Sequence, residues 1–401
     1  MLTKSFLAGI EIIEKLESHQ HQAFFVGGCV RDLLLERPIG DIDIATSASP
    51  DKVQQIFNKV IPVGIEHGTV IVRHDHQSFE VTTFRVDGKY TDQRHPDEVE
   101  FINTIDKDLE RRDFTINALA MDKEGKIVDL FDGKKDLERK IIRTVGDGCK
   151  RFSEDPLRII RALRFSGQLG FTIAQDTLQN MKQVKEQIEN ISIERITNEF
   201  TKLFAGSYLT NGIDYLKSLQ IYKHLPIMVE YTYIIDKLPK TLKPLCSFGE
   251  VIALFHYVET DIPITIWAKA WKCSNKTKQE SVQLVQALHY YQKSGLDEWL
   301  VYQLDTAYYD GLSRLISIFF SDDLVLTPKT MYRMKQNLPI HSKKDLALKG
   351  HDLLELFPYA EKGPWLQEVI SRMERAVVFG IVMNTKYELK EWVTCNPPEI
   401  N

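Results

Sequence analysis

The sequence has few cysteines and no long apolar run. Its five cysteines are scattered along 401 residues, with neither the Cys-x-x-Cys spacing of a zinc site nor a disulfide framework. A reducing compartment fits this usage, so we expect a cytoplasmic protein. No segment is long and apolar enough for a membrane span. The first residues predict an amphipathic helix in place of a signal peptide.

Basic residues are not in excess either. The formal net charge is −5 at pH 7, so the overall charge gives no sign of a nucleic-acid partner. Any affinity for RNA must therefore come from a local basic face. The apolar content of 43% and the charged content of 27% are typical of a globular protein. A chain of this length is too long for one ordinary core, so we expect about two to four domains.

The secondary-structure signals change near residue 150. Before it, helical and strand patterns are mixed, and residues 68–73 and 79–84 predict a β-hairpin. Beyond it, segments with the 3.6-residue period take over, as in residues 193–204, and residues 236–243 are a candidate joint. The sequence predicts an α+β protein, in which an N-terminal α/β part is followed by an all-helical remainder.

Two adjacent glycines and two nearby aspartates indicate a nucleotide site. Gly27 and Gly28 follow an apolar run of strand type, where glycine allows a sharp turn and lets a phosphate approach backbone N–H groups. Arg31 adds a cation for the same phosphates. The strand period of two puts Asp41 and Asp43 on one face. Two solvated aspartates on an edge strand are the alternative, but carboxylates beside a phosphate cradle can hold Mg²⁺ against a triphosphate, which points to nucleotidyl transfer.

Two further residues are candidates for the same site. Glu80, on the predicted strand 79–84, could supply a third carboxylate, and an ordinary outward-facing strand residue is the equal alternative. Arg112 follows a second arginine and precedes a compact apolar run, so it could contact the triphosphate or the ribose. Asp113 and Asn117, from the same run, could cap turns or contact sugar hydroxyls.

The segment around residue 155 predicts a helix start and a base-recognition pair. Ser153 would cap the helix and Pro156 would lie in its first turn, so Asp155 and Arg158 would be i, i+3 neighbours on one face. A carboxylate only accepts hydrogen bonds and a guanidinium only donates them. Such a pair in the plane of a base matches cytosine and adenine, and it mismatches uracil and guanine. A plain ion pair within the helix is the alternative.

Two more arginines continue along the same predicted helix. Arg161 and Arg164 follow at a spacing of three and turn around the helix by about 60° per step, so they cannot all contact one base. We expect them to contact phosphates or RNA, and the alternative is that they form salt bridges.

Taken together, these motifs resemble the class II tRNA nucleotidyltransferases, and specifically the bacterial CCA-adding enzymes. The resemblance covers about the first 205 residues and is looser beyond them. The motifs occur in the order that the family shows: Gly-Gly-x-Val-Arg-Asp with Asp-x-Asp, Arg-Arg-Asp-Phe-Thr-Ile-Asn-Ala, Asp-Leu-Phe-Asp-Gly, Glu-Asp-Pro-Leu-Arg and Glu-Arg-Ile-Thr-Asn-Glu-Phe.

The resemblance implies a domain organisation and an activity. A polymerase β-like nucleotidyltransferase head with the catalytic site would span residues 1–150 and a helical neck for nucleotide recognition residues 151–210. A helical body and a helical tail, both binding tRNA, would span residues 211–295 and 296–401. The family adds C, C and A to the 3′ end of tRNA from CTP and ATP with Mg²⁺, without a template, and releases pyrophosphate. A homodimer is a further suggestion of the resemblance.

Carried over by position, the resemblance also assigns the site residues. Asp41 and Asp43 would be the catalytic metal ligands. The nucleotide contacts would be Gly28, Arg31, Arg112, Asp155, Arg158, Arg161 and Arg164.

Several rival functions remain to be compared. Poly(A) polymerases share the head but generally carry longer basic extensions, which this acidic chain does not show. An enzyme that adds only CC would lack a flexible loop, and residues 85–96 resemble that loop. An enzyme that adds only A is the other close rival. A non-catalytic RNA-binding protein would not need the intact Asp-x-Asp. A phosphohydrolase using His351 and Asp352 would need further His and Asp ligands, and no fitting pattern is seen.

Overall fold

The computed structural model describes residues 4–88, 93, 99–320 and 327–398. The chain divides into two compact units, Met1–Ile235 and Asp236–Asn401, and the division falls where the predicted joint begins. Most of the predicted loop at 85–96 lies outside the described residues. Within the described parts of the chain, no helix is long and apolar enough to cross a membrane.

The first unit contains the strands. They are β1 Ala23–Val26, β2 Asp43–Thr46, β3 Val60–Ile61, β4 Thr69–His74, β5 Gln77–Thr83, β6 Arg85–Asp87, β7 Val99–Phe101, β8 Leu119–Met121, β9 Ile127–Asp129, β10 Ile141–Ile142 and β11 Thr172–Ile173. In the described residues the central sheet has the order β3-β4-β5-β2-β1-β8-β9, while β6 pairs with β7 and β10 pairs with β11. Strand β2 is antiparallel to β1 and parallel to β5, so it lies in the middle of the sheet.

Helices surround this sheet and continue beyond it. Those of the first unit are α1 Lys4–Ser18, α2 Gly28–Leu34, α3 Pro50–Ile56, α4 Ile105–Glu110, α5 Gly133–Arg139, α6 Gly148–Glu154, α7 Leu157–Leu169, α8 Gln175–Val184, α9 Ile193–Phe204 and α10 Leu209–Ser218, with α11 Ile234–Lys237 at the boundary. Short 3₁₀ segments lie at Ile65–His67, Thr115–Asn117, Lys185–Asn190 and Ile221–His224.

The predicted hairpin is confirmed. Strands β4 and β5 pair antiparallel along their whole length, and the turn between them consists of Asp75 and His76. Both residues have positive φ, as a tight two-residue hairpin turn requires. Alternate side chains such as Val70 and Phe79 are buried, so one face of the hairpin packs into the core and the other is left for function.

The predicted helix start at residue 153 is wrong. Ser153 lies inside α6, which ends at Glu154, and α7 begins only at Leu157. Between them Asp155 has an extended backbone, with φ −146° and ψ 97°. A residue before proline is disfavoured in the helical region, because the proline ring crowds its backbone. Pro156 therefore divides two helices and places Asp155 in the break.

The described residues of the second unit form helices joined by turns and loops, without a strand. Its helices are α12 Phe248–Val258, α13 Ile264–Ala270, α14 Asn275–Ser294, α15 Glu298–Gln303, α16 Tyr309–Phe319, α17 Pro328–Gln336, α18 Gly350–Leu356, α19 Pro364–Val378 and α20 Lys386–Cys395, with 3₁₀ segments at Thr306–Tyr308 and Lys343–Asp345. The buried Glu250 of α12 accepts hydrogen bonds of 2.7 and 2.8 Å from Arg314 of α16, which ties two helices of this unit together. The predicted helical remainder is confirmed except for the short strand β11, which lies beyond residue 150 and pairs with β10.

Candidate active site

A cavity of about 580 Å³ in the first unit brings the predicted residues together. Its walls come from the central sheet, α2, the chain around residue 112, α7 and α9. Asp41 does not line it, whereas the weaker candidate Glu80 does. The other predicted residues all line it: Gly28, Arg31, Asp43, Arg112, Asp155, Arg158, Arg161 and Arg164.

The glycine pair forms the turn from β1 into α2. Gly27 has φ +72°, a conformation that L side chains rarely adopt. A Cβ atom at this position would lie 2.8 Å from Nη1 of Arg112, so the glycine also makes room for that guanidinium. Gly28 then opens α2, and Arg31 follows one turn later. Backbone N–H groups and two guanidinium groups thus converge on one end of the cavity, an arrangement suited to phosphate.

The carboxylates lie on the neighbouring strands. Asp43 is the first residue of β2, and its register partner across the parallel pairing with β5 is Glu80. Burial raises the pKa of Asp43 to about 6, with a further increase from the charges of Glu80 and Asp41 and an opposing effect of Arg112. Asp41 precedes the strand and is exposed, while Ile42 between the two aspartates is buried. Because Asp41 lies before the strand and does not line the cavity, the common face of the two aspartates stays a prediction.

This arrangement can accommodate a divalent cation. Burial, and after it repulsion by the neighbouring carboxylates, disfavours the charged form of Asp43, and a cation between the carboxylates would offset that cost. Among the described residues, no group of three or more His, Cys, Asp or Glu side chains could hold a metal ion by itself. Asp43 and Glu80 line the cavity as two carboxylates, so a cation bound between them would take its remaining ligands from phosphate oxygens and water.

Three arginines surround one aromatic ring in the wall of the cavity. The guanidinium carbon of Arg164 lies 4.1 Å from the ring centre of Phe165, and those of Arg31 and Arg161 lie at 5.1 and 5.4 Å. Desolvation and the neighbouring Arg161 lower the pKa of Arg164 to about 10. Glu199 of α9 forms an ion pair with Arg164 at 3.0 Å. Arg31 donates two hydrogen bonds of 2.9 Å to Asp32, and Arg161 pairs with Asp113, so each of the three guanidinium groups has a carboxylate partner. An anionic ligand would bind here by adding to or replacing these contacts.

A chain of hydrogen bonds connects these arginines to the segment after Arg112. Arg31 donates to Oδ1 of Asn117 at 2.7 Å, and Asn117 donates to the carboxylate of Asp113 at 3.1 Å. Arg161 donates to the same carboxylate at 2.8 Å. Burial alone would raise the pKa of Asp113, but Arg161 and Asn117 outweigh it and lower that pKa to about 2. Asp113 and Asn117 therefore orient two arginines of the cavity.

The predicted pairing of Asp155 with Arg158 is not what the structure shows. Asp155 accepts a hydrogen bond of 2.8 Å from Nη2 of Arg195, and its other oxygen accepts the backbone N–H of Leu157 at 3.1 Å. Arg158 donates instead to Glu154 at 2.9 Å. The i, i+3 geometry is lost because the chain is extended at Asp155. Both side chains nevertheless line the cavity.

Sequence reasoning missed three supporting residues. Arg195 and Glu199 lie in the Glu-Arg-Ile-Thr-Asn-Glu-Phe motif, which was noticed but given no role in the site. The buried Asp108 of α4 accepts hydrogen bonds from Arg111, at 2.8 and 3.0 Å, and from Arg112, at 3.1 Å. The available signal was a carboxylate three and four residues before two adjacent arginines on a helical pattern.

Comparison with known proteins identifies the family. The family profile "Poly A polymerase head domain" matches residues 23–143, and "tRNA nucleotidyltransferase domain 2 putative" matches residues 250–393. "Probable RNA and SrmB- binding site of polymerase A" matches residues 170–231. A CCA-adding enzyme of Oceanobacillus iheyensis is 48% identical over 402 residues, covering 100% of both chains. The chain belongs to the bacterial CCA-adding enzymes.

Solved structures agree with this membership. The Bacillus stearothermophilus CCA-adding enzyme in complex with CTP has a TM-score of 0.86 and 35% identity, and the match covers 98% of each chain. A second relative, the CCA-adding enzyme of Anoxybacillus flavithermus, is 40% identical and matched over 100% of both chains. The predicted family and the predicted α+β fold class are both confirmed. Nucleotidyltransferases of this family use a divalent metal ion.

Proposed function

We propose that this CCA-adding enzyme completes and repairs the 3′ end of tRNA in the cavity described above, taking CTP and ATP as substrates. The observation that supports this proposal is that carboxylates and guanidinium groups line the same cavity. The carboxylates of Asp43 and Glu80 face the guanidinium groups of Arg31, Arg112 and Arg161 within a single cavity. A nucleoside triphosphate needs both, a cation site at its reacting phosphate and cationic groups along its other phosphates.

Asp41 and Asp43 would hold Mg²⁺, and Glu80 is the proposed third carboxylate. When bound, the ion lowers the pKa of the attacking hydroxyl and neutralises charge on the phosphates. The carboxylates contribute orientation, because β2 and β5 fix two of them at register positions of one sheet. The 3′-hydroxyl of tRNA attacks the α-phosphate, and pyrophosphate leaves.

The triphosphate would lie over the turn from β1 into α2. Backbone N–H groups after Gly27 and at Gly28 would donate to phosphate oxygens, and Arg31 and Arg112 would bind the outer phosphates. Arg112 is held for this task by the carboxylate of Asp108 at 3.1 Å. Arg161 and Arg164 complete the cationic wall.

Base selection would fall to Asp155 and Arg158, with Arg195 supporting the aspartate. Each oxygen of Asp155 accepts one hydrogen bond in the structure, and a carboxylate oxygen has room for a second. Asp155 can therefore still accept from the amino group of cytosine or adenine. Arg158 lies on the same wall and can donate to the neighbouring ring nitrogen. This pairing favours C and A over U and G without a nucleic-acid template.

The remainder of the chain would bind the RNA. We keep the division into head, neck, body and tail at 1–150, 151–210, 211–295 and 296–401 as a proposal, with tRNA contacts on body and tail. A solved CCA-adding enzyme from Thermotoga maritima was complexed with tRNA, and it shares the fold at a TM-score of 0.62 and 19% identity. The cytoplasm, where tRNA is matured, is the proposed compartment, and the homodimer stays a prediction.

The test supplies a tRNA transcript that ends at the discriminator base. Each nucleoside triphosphate is added singly, then CTP and ATP together, and the products are sized on a sequencing gel. We expect cytidine addition with CTP alone and a product longer by C, C and A with both nucleotides. A long adenosine tail would instead indicate a poly(A) polymerase, and unextended RNA would contradict the proposal.

A further inference from the structure

The order of strands gives the cavity two ends. Asp43 on β2 lies between β1, which leads into the glycine turn, and β5, which carries Glu80. The phosphate-binding groups Gly28 and Arg31 are on the β1 side. On the other side, β5 is followed by β4, and both contribute to the cavity wall. The side of the cavity formed by β4 and β5 is lined by different side chains.

Two threonines form the wall at this second end. Thr82 lies two residues after Glu80 on β5, so both side chains project from the same face. Thr69 is the register partner of Thr82 across the antiparallel pairing with β4. Their hydroxyl oxygens are 3.0 Å apart, both residues are half-buried, and both line the cavity.

The hydroxyl pair has bonding capacity left for a ligand. Each hydroxyl donates one hydrogen bond and accepts two. The bond between Thr69 and Thr82 uses one hydrogen and one lone pair, so one hydrogen and several lone pairs remain. A group that both accepts and donates fits such a pair, and a ribose hydroxyl is one. A carboxylate or phosphate would fit less well, because it could only accept.

The geometry of in-line displacement indicates which substrate lies next to the pair of threonines. The attacking oxygen and the leaving pyrophosphate lie on opposite sides of the α-phosphate. If the pyrophosphate lies over the glycine turn, the attacking 3′-hydroxyl must come from the side of β5 and β4. Arg85, just after β5, also lines this end, where its guanidinium is held by Asp87 at 3.0 Å.

We propose that Thr69 and Thr82 form a subsite for the terminal ribose of the acceptor RNA, with Thr82 bonded to its 2′-hydroxyl. The inference rests on the proposed function, because it names where the second substrate of the same cavity binds. The threonines hold the acceptor sugar so that its 3′-hydroxyl faces the carboxylate of Asp43. They are binding residues and take no part in proton transfer.

A two-by-two comparison of enzyme and substrate tests the proposal. Thr82→Val keeps the branched shape on the strand and removes the hydroxyl. Wild type and variant are each given tRNA whose last nucleotide carries a ribose or a 2′-deoxyribose, and kcat/KM for CTP addition is measured. For wild type, we expect kcat/KM to be about five- to tenfold lower with the 2′-deoxy acceptor than with the ribose acceptor, a factor that one hydrogen bond can account for. We call this decrease the deoxy loss. For Thr82→Val, the deoxy loss should be about fivefold smaller than for wild type. The KM of this variant for CTP should stay within about twofold of the wild-type value.

Controls separate a sugar contact from a structural effect. Ser78→Ala removes a hydroxyl from the same face of β5 outside the cavity, and it should keep the full deoxy loss. Thr82→Ser should restore that loss, and Thr69→Val tests the pair independently through its partner. Thermal unfolding of each variant verifies the fold.

The outcomes distinguish the inference from the function on which it rests. A deoxy loss that stays within twofold of wild type in both Thr82→Val and Thr69→Val would overturn the subsite while nucleotide addition continued. A wild-type protein that adds no nucleotide to either acceptor would overturn the proposed function itself, and the subsite with it.

Discussion

Nη2 of Arg195 donates a 2.8 Å hydrogen bond to Oδ2 of Asp155, which joins α9 to the break between α6 and α7. Asp155 lies outside both helices, so its direction depends on this contact and on the N–H of Leu157. The carboxylate proposed to select the base is therefore held by an arginine forty residues away in the sequence. Base selection should accordingly depend on Arg195 as well as on Asp155.

Replacing Arg195 by methionine should loosen base choice. Without the charged hydrogen bond, the carboxylate of Asp155 is free to turn, and we expect the preference for CTP over UTP to fall by about tenfold. Competitive incorporation of the two nucleotides measures this ratio. Lys202→Met, an exposed change on the same helix, is the matched control and should leave the ratio unchanged. A normal ratio in Arg195→Met would contradict the orienting role.

A methyl group at Gly27 should weaken nucleotide binding. The new Cβ would lie 2.8 Å from Nη1 of Arg112 and displace that guanidinium. We expect KM for CTP and for ATP to rise together, by about tenfold or more, because the phosphates are common to both. Gly125→Ala is the control, since Gly125 also has positive φ but nothing lies within 4 Å of its added Cβ. Equal KM values in the two alanine variants would exclude the close contact as the cause.

Removing the charge of Asp108 should have the same nucleotide-independent effect. Its carboxylate is fully buried and holds Arg111 and Arg112, and these arginines lower its pKa although burial alone would raise it. Asp108→Asn keeps the shape but loses the charge, so KM should rise equally for CTP and ATP. Asp106→Asn, on the exposed part of α4, is the control. A rise in KM for one nucleotide alone would contradict an effect on the triphosphate.

Acid should destabilise the first unit partly through Asp113. Its pKa is about 2 in the folded protein against 3.8 for an ordinary aspartate, because Arg161 and Asn117 outweigh the effect of burial. A lowered folded pKa means that the stabilisation is present above about pH 4 and is lost as the pH falls through about 2. The loss should be about 2 kcal/mol. Urea unfolding of wild type and Asp113→Asn between pH 6 and 2 measures it, with pH values chosen as roughly one-unit steps. Parallel pH profiles for the two proteins would contradict this linkage.

The sequence predicted those features that depend on local pattern. The hairpin of β4 and β5 and helix α9 follow from periodicities of two and 3.6. The meeting of Gly28, Arg31 and Asp43 in one cavity was also predicted, because glycine turns and acidic strands have local signatures. The resemblance to the family then predicted that segments far apart in the sequence form one site.

Part of what the sequence did not predict depends on distant contacts. Arg195 pairs with Asp155, forty residues away, only because of how the helices pack. The pairing of Asp108 with Arg112 is local, at a spacing of four residues, and its signal was present in the sequence. The error at Ser153 was local. The prediction took Ser153 as a helix cap and did not consider that Pro156 disfavours a helical backbone at the residue before it. Glu80 could not be chosen over an ordinary strand residue until the register placed it opposite Asp43.

The most direct test of the whole account is single-turnover nucleotide transfer by Asp43→Asn. Wild type and variant are mixed in excess over labelled tRNA with saturating CTP and Mg²⁺, and Asp51→Asn, an exposed aspartate on α3, serves as the charge-matched control. We expect the Asp43 variant to lose at least about a thousandfold in rate while its melting curve stays close to that of wild type. A variant that transfers cytidine at the rate of wild type would contradict the account.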